Sequence, residues 1–204
     1  MMRIRSSSRI LLLAALVGAS GCGVQTPRAS QLFILAPLAA TGNAARSASA
    51  AAAPALVVGP INLPAYTERT AILSLRQQSE LVPSAAARWA EPLDKNFTRV
   101  VVENLSLLLG SEQVTTLGGN AAPGSLQVVI DVTEFVASED GQASLTAYWQ
   151  ILGNDGHPVI AGRKTRYQET AADRGTAALV AAMSRTLAAL SRDVAQALAG
   201  VGAN

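Results

Sequence analysis

Few side chains in this sequence could carry out catalysis or bind a metal ion. His157 is the only histidine and Cys22 the only cysteine among the 204 residues. A CxxC pair for zinc or redox chemistry and an intramolecular disulfide are therefore both excluded. His157 falls in a turn predicted for residues 154–158, and no G-x-S-x-G sequence presents a serine nucleophile. A hydrolase built on His157 or Ser184 is accordingly the weakest function we consider.

The acidic residues have structural interpretations. Glu139 and Asp140 precede a glycine, and this sequence is typical of a hairpin turn. Asp94 falls in the first turn of a predicted helix, where negative charge is favourable. No glycine-rich phosphate loop is present, and no carboxylates have the spacing of metal ligands. We therefore expect no catalytic residue, metal or cofactor apart from a covalent lipid on Cys22.

Cys22 ends a segment that has the layout of a secretory signal peptide. Three arginines precede the apolar run 10–17, and residues 18–21 are small. The run is shorter than the roughly 20 residues of a membrane-spanning helix, which disfavours a permanent membrane span. Small residues before a cysteine resemble the bacterial lipobox, which implies a diacylglycerol thioether and an N-acyl chain on Cys22. The alternative is an ordinary signal peptide cleaved near Ala19, which leaves a free thiol.

The basic character of the whole chain comes from this signal peptide. Removing residues 1–21 takes three arginines from a net charge of +2 and leaves −1. The remaining chain has no basic stripe that could follow a phosphate backbone, so nucleic-acid binding is not expected. A strong electrostatic attraction to anionic lipid is not expected either.

The mature chain predicts one α+β domain over residues 31–199. In it, a mostly antiparallel sheet packs on one face against two long amphipathic helices. Residues 22–30 predict the lipidated cysteine and a tether, and residues 200–204 a short tail. The stretch 38–54 lacks large apolar residues, which favours a flexible loop. Its alanine content leaves a helix as the alternative.

Two segments have the spacing of amphipathic helices. Glu91 precedes Pro92, which suits a first helical position, and apolar residues then recur every three or four positions. Gly110 is a natural end for this helix. The second helix is predicted from Thr176 to Leu198, because its apolar stripe continues for more than five turns.

The strands are predicted from apolar runs and alternation. The runs cover residues 31–37, 55–64, 70–75, 126–133, 145–151 and 159–168, and the last three form an antiparallel meander. The polar residues 76–88 predict a loop. Trp149 is expected in the core. Trp89, just before the first helix, favours a core or staple position over a binding anchor.

Several motifs of the mature chain together resemble a known family. They are V-G-P-x-x-L-P-x-Y at residues 58–66, W-A-E-P-L at 89–93 and R-x₃-E-N-L at 99–105. The sequence is similar to the PqiC-like lipoproteins, the ABC-type transport auxiliary lipoprotein family, over about residues 31–199. The matched positions, which the resemblance offers as possible interaction residues, are Pro60, Tyr66, Arg69, Trp89, Glu91, Pro92, Arg99 and Asn104. This chain departs from the family in its long alanine-rich stretch and in Thr70, where a proline is common.

The resemblance implies a non-catalytic subunit of an envelope transport system for lipids or other hydrophobic molecules, supporting membrane integrity. Its partner would be an MCE-domain protein, and copies of the chain would form a homo-oligomeric ring by analogy. The expected location is the periplasmic face of the outer membrane, which Gly23 after the cysteine also favours. The alternative is a structural or regulatory lipoprotein of cell-wall synthesis or outer-membrane assembly with no transport role.

Overall fold

A computed structural model describes residues 29–39 and 55–201 of the chain. The predicted signal peptide, Cys22 and most of the alanine-rich stretch lie outside the described residues. In chain order the strands are β1 (Gln31–Phe33), β2 (Leu56–Asn62), β3 (Ala71–Arg76), β4 (Glu80–Trp89), β5 (Val114–Thr116), β6 (Leu126–Ser138), β7 (Gln142–Leu152) and β8 (Pro158–Thr170). The helices are α1 (Leu93–Leu109) and α2 (Thr176–Val201), with a short 3₁₀ helix at Ala65–Glu68.

The eight described strands form one mixed sheet around β6. One edge of β6 pairs with β7, which pairs with β8, and these long ladders are antiparallel, as the meander predicts. The other edge pairs in parallel with β2 along its first half and with β3 at its end. β5 extends the sheet beyond β2, and β4 followed by β1 extends it beyond β3.

Both helices cover the same face of the sheet. α1 packs on β2 and β5, α2 packs across β6, β7 and β8, and the two helices contact each other. Phe97 of α1 meets Phe135 of β6 edge to face, with ring centroids 5.2 Å apart. Trp149 is fully buried beneath α2. The predicted α+β class, with two amphipathic helices on one face of the sheet, is confirmed.

The helix boundaries lie close to those that the sequence predicts. Pro92 immediately precedes α1, because its fixed φ suits a helix start and it has no N–H to leave unpaired. Gly110 ends α1 in the left-handed conformation, with φ of 60°. Neither helix in residues 29–39 and 55–201 is apolar over a sufficient length to cross a membrane.

The loop predicted for residues 76–88 is wrong. Gln77 and Gln78 have positive φ and form a tight turn, after which Glu80–Trp89 is a strand. β4 contains three alanines and a proline, which have little strand preference of their own. It becomes a strand because β3 and β1 satisfy its backbone groups on both edges. β5 was not predicted either, because it is a strand of only three residues.

The first predicted strand is also shorter than residues 31–37. Only Gln31–Phe33 pairs with β4, in parallel. Residues 34–39 leave the sheet, and Leu35 is fully buried. Three backbone N–H groups of this part of the chain donate to side chains of the two helices. The chain therefore crosses from the sheet edge onto the helical layer.

Candidate functional site

Two asparagines of α1 hold the segment that follows β1. The Leu35 N–H donates to Asn96 Oδ1 at 2.6 Å, and the Leu38 N–H donates to Asn104 Oδ1 at 2.7 Å. Both asparagines are buried on the face of α1 that packs in the core. A buried amide on an apolar helix face is costly unless it is hydrogen-bonded. The carbonyl oxygen of each asparagine has a backbone partner from a distant segment, whereas Asn96 Nδ2 has no partner among the described residues.

Two serines of α2 complete this arrangement. Ser184 Oγ accepts from the Ala36 N–H at 3.1 Å, and Ser191 Oγ accepts from Asn104 Nδ2 at 3.3 Å. We call these four side chains, Asn96, Asn104, Ser184 and Ser191, the N-terminal clamp. The clamp joins the segment after β1 to both helices. Asn104 is fully buried and so does not offer a surface for a partner.

A separate cleft lies where β2, the 3₁₀ helix and the start of α1 meet. It has a volume of about 610 Å³ and contains four of the residues that the sequence analysis singled out. Its apolar lining is Ile61, Leu63, Trp89, Ala90, Pro92 and Leu93, and its polar lining is Asn62, Thr67, Glu68, Arg69, Thr70, Glu91 and Asp94. We call it the Trp89 cleft.

Trp89 forms the wall between this cleft and the core. It is the last residue of β4 and is 8% exposed. Its backbone N–H donates to the Thr70 carbonyl at 2.8 Å. The ring is therefore largely a core side chain, with one edge towards the cleft. Glu68 and Arg69 on the rim are exposed, and neither forms an ion pair within the described part of the chain.

Arg99 connects the rim of the cleft to the surface of α1. Its guanidinium donates to Glu91 Oε1 and to Glu103 Oε1, both at 2.9 Å. These hydrogen bonds raise the pKa of Arg99 above its ordinary value, and the bond to Glu91 has a larger effect than the bond to Glu103. All three side chains are about 40% exposed, so the network contributes little free energy, but it orients Glu91.

Tyr66 and Pro60 support the sheet beside the cleft. The Tyr66 hydroxyl accepts a hydrogen bond from the Phe135 N–H at 2.8 Å, just after the register of β6 and β7 shifts. Burial raises the pKa of the Tyr66 phenol, an effect that the Phe135 N–H partly opposes. Pro60 follows Gly59 at a bulge of β2, where the register with β6 also shifts.

The structure thus separates the motif residues into different roles. Arg69, Trp89, Glu91 and Pro92 meet at the Trp89 cleft, whereas Asn104 belongs to the N-terminal clamp. Asn96 was given no role from the sequence, although a residue eight positions before Asn104 falls within the same broad stripe of an amphipathic helix. Polar residues within an otherwise apolar stripe were the signal that could have revealed the clamp.

The cleft has the chemistry of a contact surface. It combines apolar side chains with carboxylates and one guanidinium, and its lining holds no histidine, cysteine or serine. His157 lies exposed in its turn, as predicted, away from the cleft. No group of three potential metal ligands occurs within residues 29–39 and 55–201.

The fold is an α+β domain in which the segment after β1 is hydrogen-bonded to both helices. The chain belongs to the family of ABC-type transport auxiliary lipoprotein components, whose sequence model matches residues 37–195. This match confirms the resemblance stated from the motifs. The family is a non-enzymatic kind of protein, a lipoprotein that accompanies a transport system.

Solved structures share the fold at low sequence identity. The crystal structure of an uncharacterized protein is 17% identical, covers 82% of this chain and 97% of its own, and has a TM-score of 0.67. A Xanthomonas campestris protein of family DUF330 is 18% identical, covers 84% of this chain and 96% of its own, and has a TM-score of 0.62. A search of curated proteins finds no match.

Proposed function

We propose that this protein is a lipid-anchored, non-catalytic subunit of an envelope transport system that moves lipids or other hydrophobic molecules. Its anchor is the acylated Cys22, its location is the periplasmic face of the outer membrane, and its partner is an MCE-domain protein. The observation that carries the proposal is the family match over residues 37–195. The lipobox-like sequence before Cys22 supports the anchor.

The N-terminal clamp is consistent with an anchored protein. A lipidated tether that begins at Cys22 reaches the domain at β1, and the next residues are hydrogen-bonded to both helices. Any displacement of the tether is therefore transmitted to the packed core and not to a loose end. A scaffold between a membrane and a partner needs such a connection.

We further propose the Trp89 cleft as the place where the partner binds. Its rim offers Glu68 and Arg69, which have no ion-pair partner in the described residues, above an apolar floor. Contact surfaces combine this kind of apolar centre with a charged rim. Trp89 and the Glu91-Pro92 turn give the cleft a rigid wall, which reduces the entropy lost on binding.

Assembly of several copies into a ring is part of the proposal. β8 is 13 residues long and pairs, among the described strands, with β7 alone. The other edge of such a strand offers unpaired backbone groups to another strand, from a second copy or from the partner. Light scattering of the detergent-solubilised protein would measure the number of copies, and a monomer at all concentrations would contradict this part.

The transport proposal is tested by isolating the protein with its neighbours. A C-terminally tagged chain is solubilised from envelopes in mild detergent, and the proteins that co-purify are identified by mass spectrometry. We expect an MCE-domain protein in stoichiometric amount and acyl chains on the Cys22 peptide. Recovery of a lipidated chain with cell-wall enzymes in place of an MCE protein would favour the alternative role and contradict transport.

The cleft is tested with one substitution and a matched control. Arg69→Ala removes the exposed guanidinium from the rim, and Arg174→Ala removes another exposed arginine on the loop before α2. We expect the first variant to lose most of the co-purifying partner and the second to retain it, with unchanged circular dichroism for both. Equal recovery of the partner with both variants would show that the cleft is not the binding place.

A further inference from the structure

Two large apolar side chains stand exposed at the start of the domain. Leu32 is 66% exposed, the largest exposed fraction of any large apolar side chain in the described part of the chain, and Ile34 is 50% exposed. Leu32 is on β1 and Ile34 lies just after its end, and the residue that follows each of them is more buried. Phe33 and Leu35, which alternate with them, turn towards the core.

This exposure is built into the fold and does not come from a loose chain end. The Phe33 carbonyl accepts from the Ala90 N–H at 2.9 Å, and the Leu35 N–H is held by Asn96 at 2.6 Å. A shift by one residue would bring Leu32 and Ile34 inward, but it would expel Phe33 and Leu35 from the core. The two side chains therefore stay exposed to solvent in the isolated domain.

An arginine lies beside Leu32 in the sheet. Leu32 is the register partner of Arg88 in the parallel ladder of β1 and β4, so both side chains lie on the same face of the sheet. The Arg88 guanidinium donates to the carbonyls of Ser84 and Ala87, at 2.7 and 3.0 Å. Arg88 forms no ion pair with any carboxylate of the described residues.

The position of this surface along the chain indicates what covers it. Ten peptide units separate Cys22 from Leu32, so a fully extended chain would span at most about 35 Å. A side chain on that short a connection remains close to the surface that holds the acyl chains. Apolar residues with an adjacent arginine suit the boundary between acyl chains and phosphate headgroups.

We propose that Leu32, Ile34 and Arg88 form a second membrane contact, which inserts into the headgroup region of the bilayer that holds the lipid anchor. The inference depends on the proposed anchor at Cys22. It adds an orientation, because a domain attached both by the acyl chains and by the β1 edge cannot rotate freely about its tether. The Trp89 cleft would then have a constant direction relative to the membrane.

The test places a fluorescent probe on each side of the domain. Lipidated protein carrying Leu32→Cys is labelled with an environment-sensitive dye and incorporated into vesicles of phosphatidylethanolamine and phosphatidylglycerol. Leu117→Cys is the matched control, since Leu117 is 56% exposed but follows β5, at the other end of the strand order. We expect a blue-shifted emission and quenching by nitroxide-labelled lipid for position 32, and neither change for position 117.

Three results would overturn the inference. The probe at position 32 could behave like the probe at position 117 in vesicles, or it could become shielded only when more protein or a partner is added. The third result is an intact mass that shows no acyl chains on Cys22. The chain would then carry two dye molecules, because the free Cys22 thiol would be labelled as well as position 32. That mass measurement reports on the anchor alone, so a lipidated chain with an unshielded position 32 contradicts the second contact and leaves the proposed function standing.

Discussion

Asn104 lies fully buried between α1, α2 and the segment that follows β1. Its Oδ1 accepts from the Leu38 N–H, and its Nδ2 donates to Ser191. One amide therefore satisfies a backbone donor from one part of the chain and connects two helices. A shorter apolar residue would leave the Leu38 N–H unpaired, and burying an unpaired polar group is more costly than the net gain from a hydrogen bond.

We expect Asn104→Ala to lower the free energy of unfolding by about 1–3 kcal/mol, because it leaves a part-buried donor without its acceptor and opens a small cavity. Urea denaturation followed by circular dichroism measures this change. Asn62→Ala is the control, since it removes an exposed hydrogen bond to Asp131 and should cost less than about 0.5 kcal/mol. Equal losses for the two variants would contradict the structural role of the clamp.

Two partly buried tyrosines make the free energy of unfolding depend on pH in the alkaline range. Burial raises the pKa of both Tyr167 and Tyr66. The hydrogen bond that Tyr167 donates to Asp193 raises the pKa of Tyr167 as well. The unfolded chain therefore loses these protons first. The stabilisation is fully present below the ordinary tyrosine pKa of 10.0 and is lost as pH rises through the higher native values.

We expect the urea midpoint of the wild type to fall as pH rises above 10, and the fall to be shallower for Tyr167→Phe and Tyr66→Phe. Phenylalanine has no proton to release, so each variant removes one contribution to the slope. Urea titrations at a series of alkaline pH values measure it. An identical slope for the wild type and the double variant would show that other groups cause the loss.

At the scale of elements, α2 packs a long apolar stripe onto β6, β7 and β8. Leu187, Leu190 and Val194 are fully buried along it. Polar contacts fasten the same helix to β8, where Arg185 donates to Glu169 and Tyr167 donates to Asp193. Most of the stabilisation comes from the apolar stripe, since the ion pair is half-exposed.

We expect Leu190→Ala to destabilise the domain by about 2–5 kcal/mol, because it removes buried methyl groups and leaves a cavity in a packed core. Leu108→Ala on α1 is the control, since Leu108 is 37% exposed. The control should cost clearly less in the same thermal or urea denaturation. A small loss for Leu190→Ala would mean that α2 repacks easily on the sheet.

β4 shows where a pattern in the sequence is insufficient. The alternation in β6 and the stripes in both helices are encoded by large apolar residues, and these elements lie where the sequence predicts them. β4 contains Ala85, Ala86 and Ala87, whose side chains carry almost no preference. Its conformation depends on pairing with β3 across a tight turn and with β1, which lies far away along the chain.

At the scale of the whole molecule, the proposed anchor and the domain are connected through β1. We expect Cys22→Ala to move the protein from the membrane fraction to the soluble fraction, because the second contact at Leu32 and Ile34 alone is too small for stable attachment. Immunoblotting of fractionated cells measures the distribution, with Arg174→Ala as a variant that should stay with membranes. Retention of the cysteine variant on membranes would contradict lipid anchoring.

The Trp89 cleft was predicted only in part. The motif residues Arg69, Trp89, Glu91 and Pro92 were singled out from their spacing and family resemblance, and the structure brings them to one cleft. Ile61, Leu63 and Glu68 of the same lining were not among the possible interaction residues, although Leu63 belongs to one of the quoted motifs. They reach the cleft from β2 and the 3₁₀ helix, and only the crossing of these elements over the start of α1 places them together.

The sequence by itself determined the fold class, both helices, the meander and the likeness to the family. Each of these depends on local periodicity or on short motifs, which are properties of neighbouring residues. Only the tertiary structure decided the parallel pairings of β2 with β6 and of β1 with β4, the N-terminal clamp and the exposure of Leu32 and Ile34. The physical reason is that backbone pairing and burial depend on segments that lie far apart along the chain and meet only in the folded domain.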